Sequence, residues 1–176
     1  MISPLLETER LILRRYQTTD IDMQYSILKD ERLHKYISFP DLSKEEELEC
    51  IKKWISDADT DNHEKWVIEL KENNTAIGNI SVNNIDVKNN YCNVGYVIMY
   101  DYWGNGFAAE ALRAVSDYLL SERNYYLVEC SCNELNRQSY MVMEKAGFKK
   151  DGCIPSRRLN KNGSYSGVVY YSKRRI

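Results

Sequence analysis

Two glycines separated by one residue lie between a predicted strand and a strongly amphipathic segment. Gly104 and Gly106 lie at the start of a helix predicted over 105–121, where apolar side chains recur at helical spacing. Glycines let a backbone turn tightly and present successive N–H groups without a Cβ in the way. The first N–H groups of a helix lack intrahelical acceptors and lie at the positive end of its dipole, so this spacing predicts a diphosphate site. A tight strand-to-helix turn without any ligand explains the same glycines.

The same residues also match a dinucleotide-binding pattern. Gly104-x-Gly106-x-x-Ala109 fits that fingerprint, and Glu129 lies about twenty residues beyond it, where an acid would bind a ribose. Such a fold continues with further βαβ units, whereas one helix and two hairpin-like strands are predicted after Glu129. Glu129 is also predicted inside its strand rather than at its end. A nucleotide-binding dehydrogenase is therefore a disfavoured alternative.

The elements that must position this loop form a mixed pattern. Helices are predicted to start at Asp20, at the capping box Ser43-Lys-Glu-Glu46, at Asn105 and at the cap Asn136. Strands are predicted at 8–15, 66–70, 75–82, 91–99, 125–132, 148–154 and 164–173. Because hairpins dominate and only one or two crossovers occur, we expect an α+β fold. Its mixed, mainly antiparallel sheet has six to seven strands and about four helices, in a single domain over 1–176.

Composition excludes several classes of function. The chain has 176 residues, a net charge of −2 and 43% hydrophobic residues, so nothing favours a nucleic-acid partner. No apolar stretch approaches the ~20 residues needed to span a membrane, and the first residues lack the pattern of a secretory signal. Five scattered cysteines include no CxxC pair, so we expect no metal and a location in the reducing cytoplasm.

The loop resembles that of a known family. Trp103-Gly-Asn-Gly-Phe-Ala108 resembles the pyrophosphate loop of the GNAT superfamily of acyl-CoA-dependent N-acetyltransferases, with Trp103 where the family has Gln or Arg. Trp-Gly-x-Gly followed by Ala-x-Glu-Ala is similar to the branch of the ribosomal-protein N-terminal (alanine/serine) acetyltransferases. Further matches to that branch are 6–14, Val94-Gly-Tyr96, Asn136-Arg-Gln-Ser139 and 144–148. The resemblance implies the GNAT fold and acetyl-CoA as co-substrate.

The resemblance also implies a cofactor site made largely of backbone groups. Those of Val97, Ile98 and Met99 are expected to pair with the pantetheine arm and to polarise the thioester carbonyl. Asn136 is expected to contact the pantetheine or the diphosphate, although a helix cap explains it equally well. The diphosphate is expected at the loop formed by Trp103, Gly104, Asn105, Gly106, Phe107, Ala108 and Ala109.

The catalytic residues are less clearly marked. Ser139 stands where this branch places a hydroxyl near the thioester sulfur, but a serine is also common in a first helical turn. Met143 replaces the Tyr that many members use as general acid. Asn93 and Gly167 replace carboxylates of the acceptor pocket. Glu129 is therefore our candidate base, acting through water, unless the acceptor amine loses its proton without help.

Two functions follow from these observations. The first is an enzyme that passes the acetyl group of acetyl-CoA to a primary amine by direct attack in a ternary complex. Its acceptor is a protein N-terminus, a polyamine, an amino acid or an aminoglycoside, and the chain is a monomer or a homodimer. The second is a non-catalytic acyl-CoA-binding module of the same fold, which the missing Tyr and carboxylates favour.

Overall fold

A computed structural model of the chain describes residues 3–58, 64–160 and 162–175. Five α-helices are present in these ranges: α1 (Ile21–Lys29), α2 (Glu31–His34), α3 (Lys44–Asp57), α4 (Phe107–Ser121) and α5 (Arg137–Lys145). The strands are β1 (Leu6–Glu7), β2 (Leu11–Arg14), β3 (Lys65–Leu70), β4 (Thr75–Asp86), β5 (Tyr91–Ile98), β6 (Leu127–Asn133), β7 (Lys149–Leu159) and β8 (Tyr165–Arg174).

All eight strands belong to one sheet with the order β1-β2-β3-β4-β5-β6-β8-β7. Among the strands of the described residues, only β5 and β6 pair in parallel, and α4 is the crossover that such a pair requires. The α+β prediction with a mainly antiparallel sheet is confirmed, with slightly more strands and helices than expected. The additional elements are short, namely the two-residue β1 and the single-turn α2. One parallel pair cannot form a doubly wound nucleotide-binding fold, so the dehydrogenase alternative is wrong.

Helices cover both faces of the sheet. On one face α4 buries Leu112, Val115 and Leu119, whose spacing of three and four residues gives the helix one apolar side. On the other face α1 and α3 bury Ile27 and Ile51 in a second cluster. No helix in the described ranges is both long and apolar enough to cross a membrane.

Side chains of β5 and β6 alternate between these two faces, as the pleat of a strand requires. Val94 and Cys130 lie in the cluster beneath α4, whereas Val97 packs in the cluster of α1 and α3. Odd-numbered residues of the two strands, among them Asn93 and Glu129, therefore project away from α4. This alternation separates the two sides of the cleft described below.

Candidate active site

A cleft opens where β5 and β6 stop pairing. Their register ends at Asn93↔Glu129, after which β5 stays bonded to β4 and β6 to β8. The two strands diverge and leave a cavity of about 380 Å³. It is lined by Tyr36, Ile37, Gly95, Tyr96, Val97, Ile98, Tyr102, Trp103, Gly104, Gly106, Phe107, Ala108, Ala109, Cys130, Ser131, Cys132, Asn133, Asn136, Gln138, Ser139, Met141, Val142, Lys145 and Arg158.

The glycine loop lies at one end of the cleft. Gly104 and Gly106 both have φ near +81°, a conformation that side chains disfavour, and Gly106 is the N-cap of α4. Within the described ranges, no acceptor bonds the backbone N–H groups of residues 104–109. Donors of this kind at a helix N-terminus fit a diphosphate. Asn105 itself does not line the cavity, because its side chain bonds the carbonyls of Tyr102 and Trp103.

The loop is held from behind by residues near the start of the chain. Arg10 forms a salt bridge of 2.6 Å with Glu110 and donates to the carbonyl of Asn105 at 3.0 Å. Thr8 Oγ1 donates to the same carboxylate at 2.6 Å, and the Arg10 guanidinium lies 4.6 Å from the centre of the Phe107 ring. Burial alone would raise the pKa of Glu110, but the hydrogen bonds from Thr8 and Arg10 lower it overall. Thr8 and Arg10, the partners of Glu110, both lie in the segment 6–14. The motif at 6–14 and the motif at the glycine loop are therefore in direct contact in the fold.

At the end of β5, the backbone N–H groups of the three predicted residues point in different directions. The N–H of Met99 donates to Ile77 in β4 at 2.8 Å, so it is directed away from the cleft. Because successive residues of an antiparallel strand alternate in direction, the Val97 N–H also faces β4, whereas those of Tyr96 and Ile98 face the cleft. The carbonyl of Ile98 already accepts from Trp103 Nε1 at 2.8 Å. Trp103 therefore fixes the loop to the strand.

Two hydroxyl groups meet inside the cleft. Asn136 is the N-cap of α5, and its side chain accepts from the N–H of Ser139 at 3.2 Å. Ser139 Oγ lies 2.7 Å from the phenol oxygen of Tyr96, a residue that sequence reasoning did not select. Burial raises the pKa of Tyr96 well above its ordinary value. The phenol is therefore uncharged at neutral pH, and the pair is a set of neutral hydrogen-bonding groups.

Neither Met143, at the position of the family's tyrosine acid, nor the nearby Tyr140 lines the cleft. Met143 is fully buried in the core. Tyr140 donates its hydroxyl to the carbonyl of Glu134, in the turn between β6 and α5, and does not line the cavity. Of the hydroxyl groups on α5, only that of Ser139 lines the cleft in the described residues.

The predicted base lies beyond the closed end of the cleft. Glu129 accepts from the Asn93 side chain at 3.1 Å, at the last paired position of β5 and β6, and does not line the cavity. A carboxylate that the sequence did not suggest lies beside Gly167. There Glu134 accepts from the Gly167 N–H, and a Cβ on Gly167 would approach its Oε2 to 2.9 Å. Glu134 therefore occupies the space that a side chain at position 167 would need.

The charged residues of the cavity wall are all cationic. Lys145 on α5 and Arg158 on β7 line it, and no Asp or Glu among the described residues does. Nor do three or more His, Cys, Asp or Glu side chains in those residues form a cluster that could hold a metal ion. A cationic wall complements anionic groups of a bound ligand.

Comparison with known proteins gives the family. A sequence model described as an acetyltransferase (GNAT) domain matches residues 10–149, so the chain belongs to the GNAT acetyltransferases. The uncharacterised N-acetyltransferase YnaD of Bacillus subtilis is 29% identical over 154 residues, which are 85% of this chain and 88% of YnaD. The chain is thus an acetyl-CoA-dependent N-acetyltransferase.

Solved structures agree with the fold. A GNAT acetyltransferase from Bacillus anthracis has a TM-score of 0.85 at 23% identity and covers 98% of this chain and 99% of its own. The ribosomal L7/L12 α-N-protein acetyltransferase RimL, solved with coenzyme A, has a TM-score of 0.83 at 21% identity. The match covers 99% of this chain and 98% of the RimL chain. The resemblance to the branch with ribosomal-protein acetyltransferases is confirmed at the level of fold.

Replacing Gly106 by Val should weaken coenzyme A binding by about tenfold or more. A β-branched residue is strained at φ +81°, by ~1–3 kcal/mol, so the loop must rearrange and its donors move. Gly163→Val is the matched control, because Gly163 has φ +79° in the turn between β7 and β8. Calorimetry with coenzyme A should show a loss for Gly106→Val alone. Equal affinity of folded Gly106→Val and wild type would refute the loop assignment.

Proposed function

We propose that this enzyme transfers the acetyl group of acetyl-CoA to a primary amine by direct attack in a ternary complex. Acetyl-CoA supplies the activated thioester. The main support for this proposal is a cleft that contains two sets of polar groups. Unbonded backbone donors lie at residues 104–109, and the hydroxyl groups of Ser139 and Tyr96 lie further inside. The first set suits a diphosphate and the second a reacting sulfur. The experiment that tests this is release of free thiol from acetyl-CoA in the presence of a panel of amines.

The backbone edge of β5 would orient the thioester. The N–H of Ile98 points into the cleft, so we assign it to the carbonyl oxygen of the acetyl group. Val97 and Met99, which the sequence also suggested, would act through the shape of the strand, because their N–H groups face β4. Asn136 would serve mainly as the cap that fixes the first turn of α5, since its side chain bonds the Ser139 N–H.

Ser139 would donate a hydrogen bond to the departing thiolate, and Tyr96 would position its hydroxyl. Because the raised pKa keeps the phenol protonated, Tyr96 can donate to Ser139 Oγ across their 2.7 Å contact. The Ser139 proton is then free to point into the cleft, and a donor that itself receives a hydrogen bond is a stronger donor. Tyr96 is thus a positioning residue and Ser139 the catalytic one.

A non-catalytic acyl-CoA-binding module is the second candidate. The observation that favours it is the cavity wall, where no Asp or Glu among the described residues is present to accept the amine proton. Such a module would bind coenzyme A by calorimetry and release no thiol with any amine. Turnover with one amine is enough to reject it.

The cytoplasm is the compartment that we propose. The five cysteines are free thiols, and Cys92 and Cys130 are buried in the core without a disulfide partner. Free thiols persist in a reducing compartment. A reducing location also keeps coenzyme A as a thiol after each transfer.

Ser139→Ala should lower kcat by ~10²-fold with little change in acetyl-CoA affinity, because the lost group assists departure of the sulfur. Tyr96→Phe should lower kcat by about tenfold, because Ser139 would lose the hydrogen bond that aligns its hydroxyl with the sulfur. In the double variant, Tyr96→Phe should add nothing to Ser139→Ala, since the two residues act as one unit. Steady-state kinetics of the four proteins measure this coupling.

Tyr171→Phe is the control for loss of a phenol hydroxyl next to α5. Tyr171 donates to Glu144 at 3.0 Å and lies outside the cleft, so its removal should leave kcat unchanged. Wild-type kcat in Ser139→Ala would leave Ser139 with a structural role only. Additive losses in the double variant would reject the coupling but not the role of Ser139.

Glu129→Gln should leave the rising limb of the pH–rate profile in place. The carboxylate bonds Asn93 and does not line the cleft, so we assign deprotonation to the acceptor amine itself. The midpoint of the rising limb should then follow the pKa of the acceptor amine, which is ~8 for an α-amine and ~10.4 for a lysine-like amine. The profile of kcat/KM with one acceptor of each kind measures this. A limb that disappears in Glu129→Gln would instead identify Glu129 as the base, acting through water.

A further inference from the structure

We propose that the acceptor carries an anionic group near its amine, a carboxylate or a phosphate, and that Arg158 binds this group. The inference rests on the proposed transfer to an amine and names the chemical class of the acceptor. It starts from a cation in the cavity wall that none of the roles above uses. The position of Arg158 in the sheet, its lack of a bonded partner in the described ranges and the positive charge of the cavity wall each support the proposal.

The register of the sheet places Arg158 on the side of the cleft away from α4 and the diphosphate loop. Arg158 pairs with Ser166 in β8, and Val168, two residues further on, pairs with Asn133 in β6. Paired residues project to the same face, and so do residues two apart in a strand. Arg158 therefore shares the face of Asn133, away from α4 and α5. The loop donors lie at the start of α4 and Lys145 lies on α5, so Arg158 is on the other side of the sheet from both.

The guanidinium of Arg158 is available for a ligand. The residue is half-buried and lines the cavity, and within the described ranges its side chain has no hydrogen bond or ion pair. Arg10, Arg14 and Arg123, by contrast, each form a salt bridge with a carboxylate. A partly desolvated guanidinium binds a planar carboxylate or a phosphate through two parallel hydrogen bonds.

The nearby carboxylates already have other partners. Glu134 accepts from the backbone of Gly167, and Glu129 accepts from Asn93. Neither lines the cavity, whose charged wall residues are Lys145 and Arg158. A polyamine or an aminoglycoside would bring additional positive charges against this wall. An amine with an anionic neighbour would instead gain an attraction, so the wall favours the latter class.

A hydrogen-bond network fixes the hairpin that carries Arg158. Asn160 Oδ1 accepts from the side chains of Asn133 at 3.1 Å and of Ser166 at 3.0 Å. Ser166 is buried, and it is the residue opposite Arg158 in the β7–β8 ladder. The strand register also shifts between Ile154 and Arg158, which redirects the chain just before the arginine. The side chain thus extends from a well-anchored backbone, as a specificity residue requires.

The test compares acceptors that differ only in the anionic group. O-phosphoethanolamine is paired with ethanolamine, and β-alanine with β-alanine amide, for the wild type, Arg158→Gln and Arg158→Lys. Arg157→Gln is the matched control, since Arg157 is the exposed neighbour and does not line the cavity. Each variant is compared with the wild type on the same acceptor, so differences in amine pKa cancel. Calorimetry measures coenzyme A affinity in parallel.

Arg158→Gln should lower kcat/KM for the anionic member of a pair by about tenfold or more, as loss of a charge-assisted hydrogen bond does. The neutral member and the coenzyme A affinity should change by less than about twofold. Arg158→Lys should retain part of the activity, and Arg157→Gln all of it. Whichever pair shows the larger loss distinguishes phosphate from carboxylate.

Equal losses on both members of each pair, or no loss on either, would overturn the role of Arg158. Wild-type preference for spermidine over every anionic acceptor would overturn the acceptor class. In both cases amine acetylation itself would stand. A protein that binds coenzyme A and acetylates no amine would overturn the proposed function, and this inference with it.

Discussion

Neighbouring parallel strands stay closed only while they share hydrogen bonds, and β5 and β6 stop sharing them at Asn93 and Glu129. Each strand remains fixed on its other side, β5 by β4 and β6 by β8, so the two must diverge. A helix follows each strand closely, and the N-termini of α4 and α5 therefore both reach the open end. The divergence exposes the backbone edge of β5 and brings two helix starts to one cleft.

The loop at that cleft depends on residues far away in the chain. The N–H groups of residues 104–109 form no hydrogen bonds that would fix the loop conformation. The loop is instead held from the opposite side by a clamp, the hydrogen bonds of Thr8 and Arg10 to Glu110 and of Arg10 to the Asn105 carbonyl. The pKa of Glu110 is lowered in the folded state. Its carboxylate therefore stabilises the fold fully at pH values above its ordinary pKa of 4.5. That contribution is lost as the pH falls through the lower, folded value. The clamp is thus intact at neutral pH.

Features that depend on local sequence were predictable. The capping box of Ser43 and Glu46 and the cap at Asn136 lie where their patterns predicted them, because cap and acceptor are three residues apart. Contacts between distant residues were not predictable. The contact of Tyr96 with Ser139 joins positions 43 apart, and a periodic pattern contains no information about the register that brings them together. The same limit applies to the direction of the Met99 N–H and to the position of Arg158.

Binding of the diphosphate by the N–H groups of residues 104–109, in the cleft between β5 and β6, is the interaction on which the proposed function depends. Backbone amide spectra of the isotope-labelled protein, recorded during titration with coenzyme A, test it most directly. We expect the amides of 104–109 to show the largest shifts and to become protected from hydrogen exchange, while those of the turn at 162–164 do not change. Saturation with coenzyme A that leaves the amides of 104–109 unshifted and unprotected would contradict it.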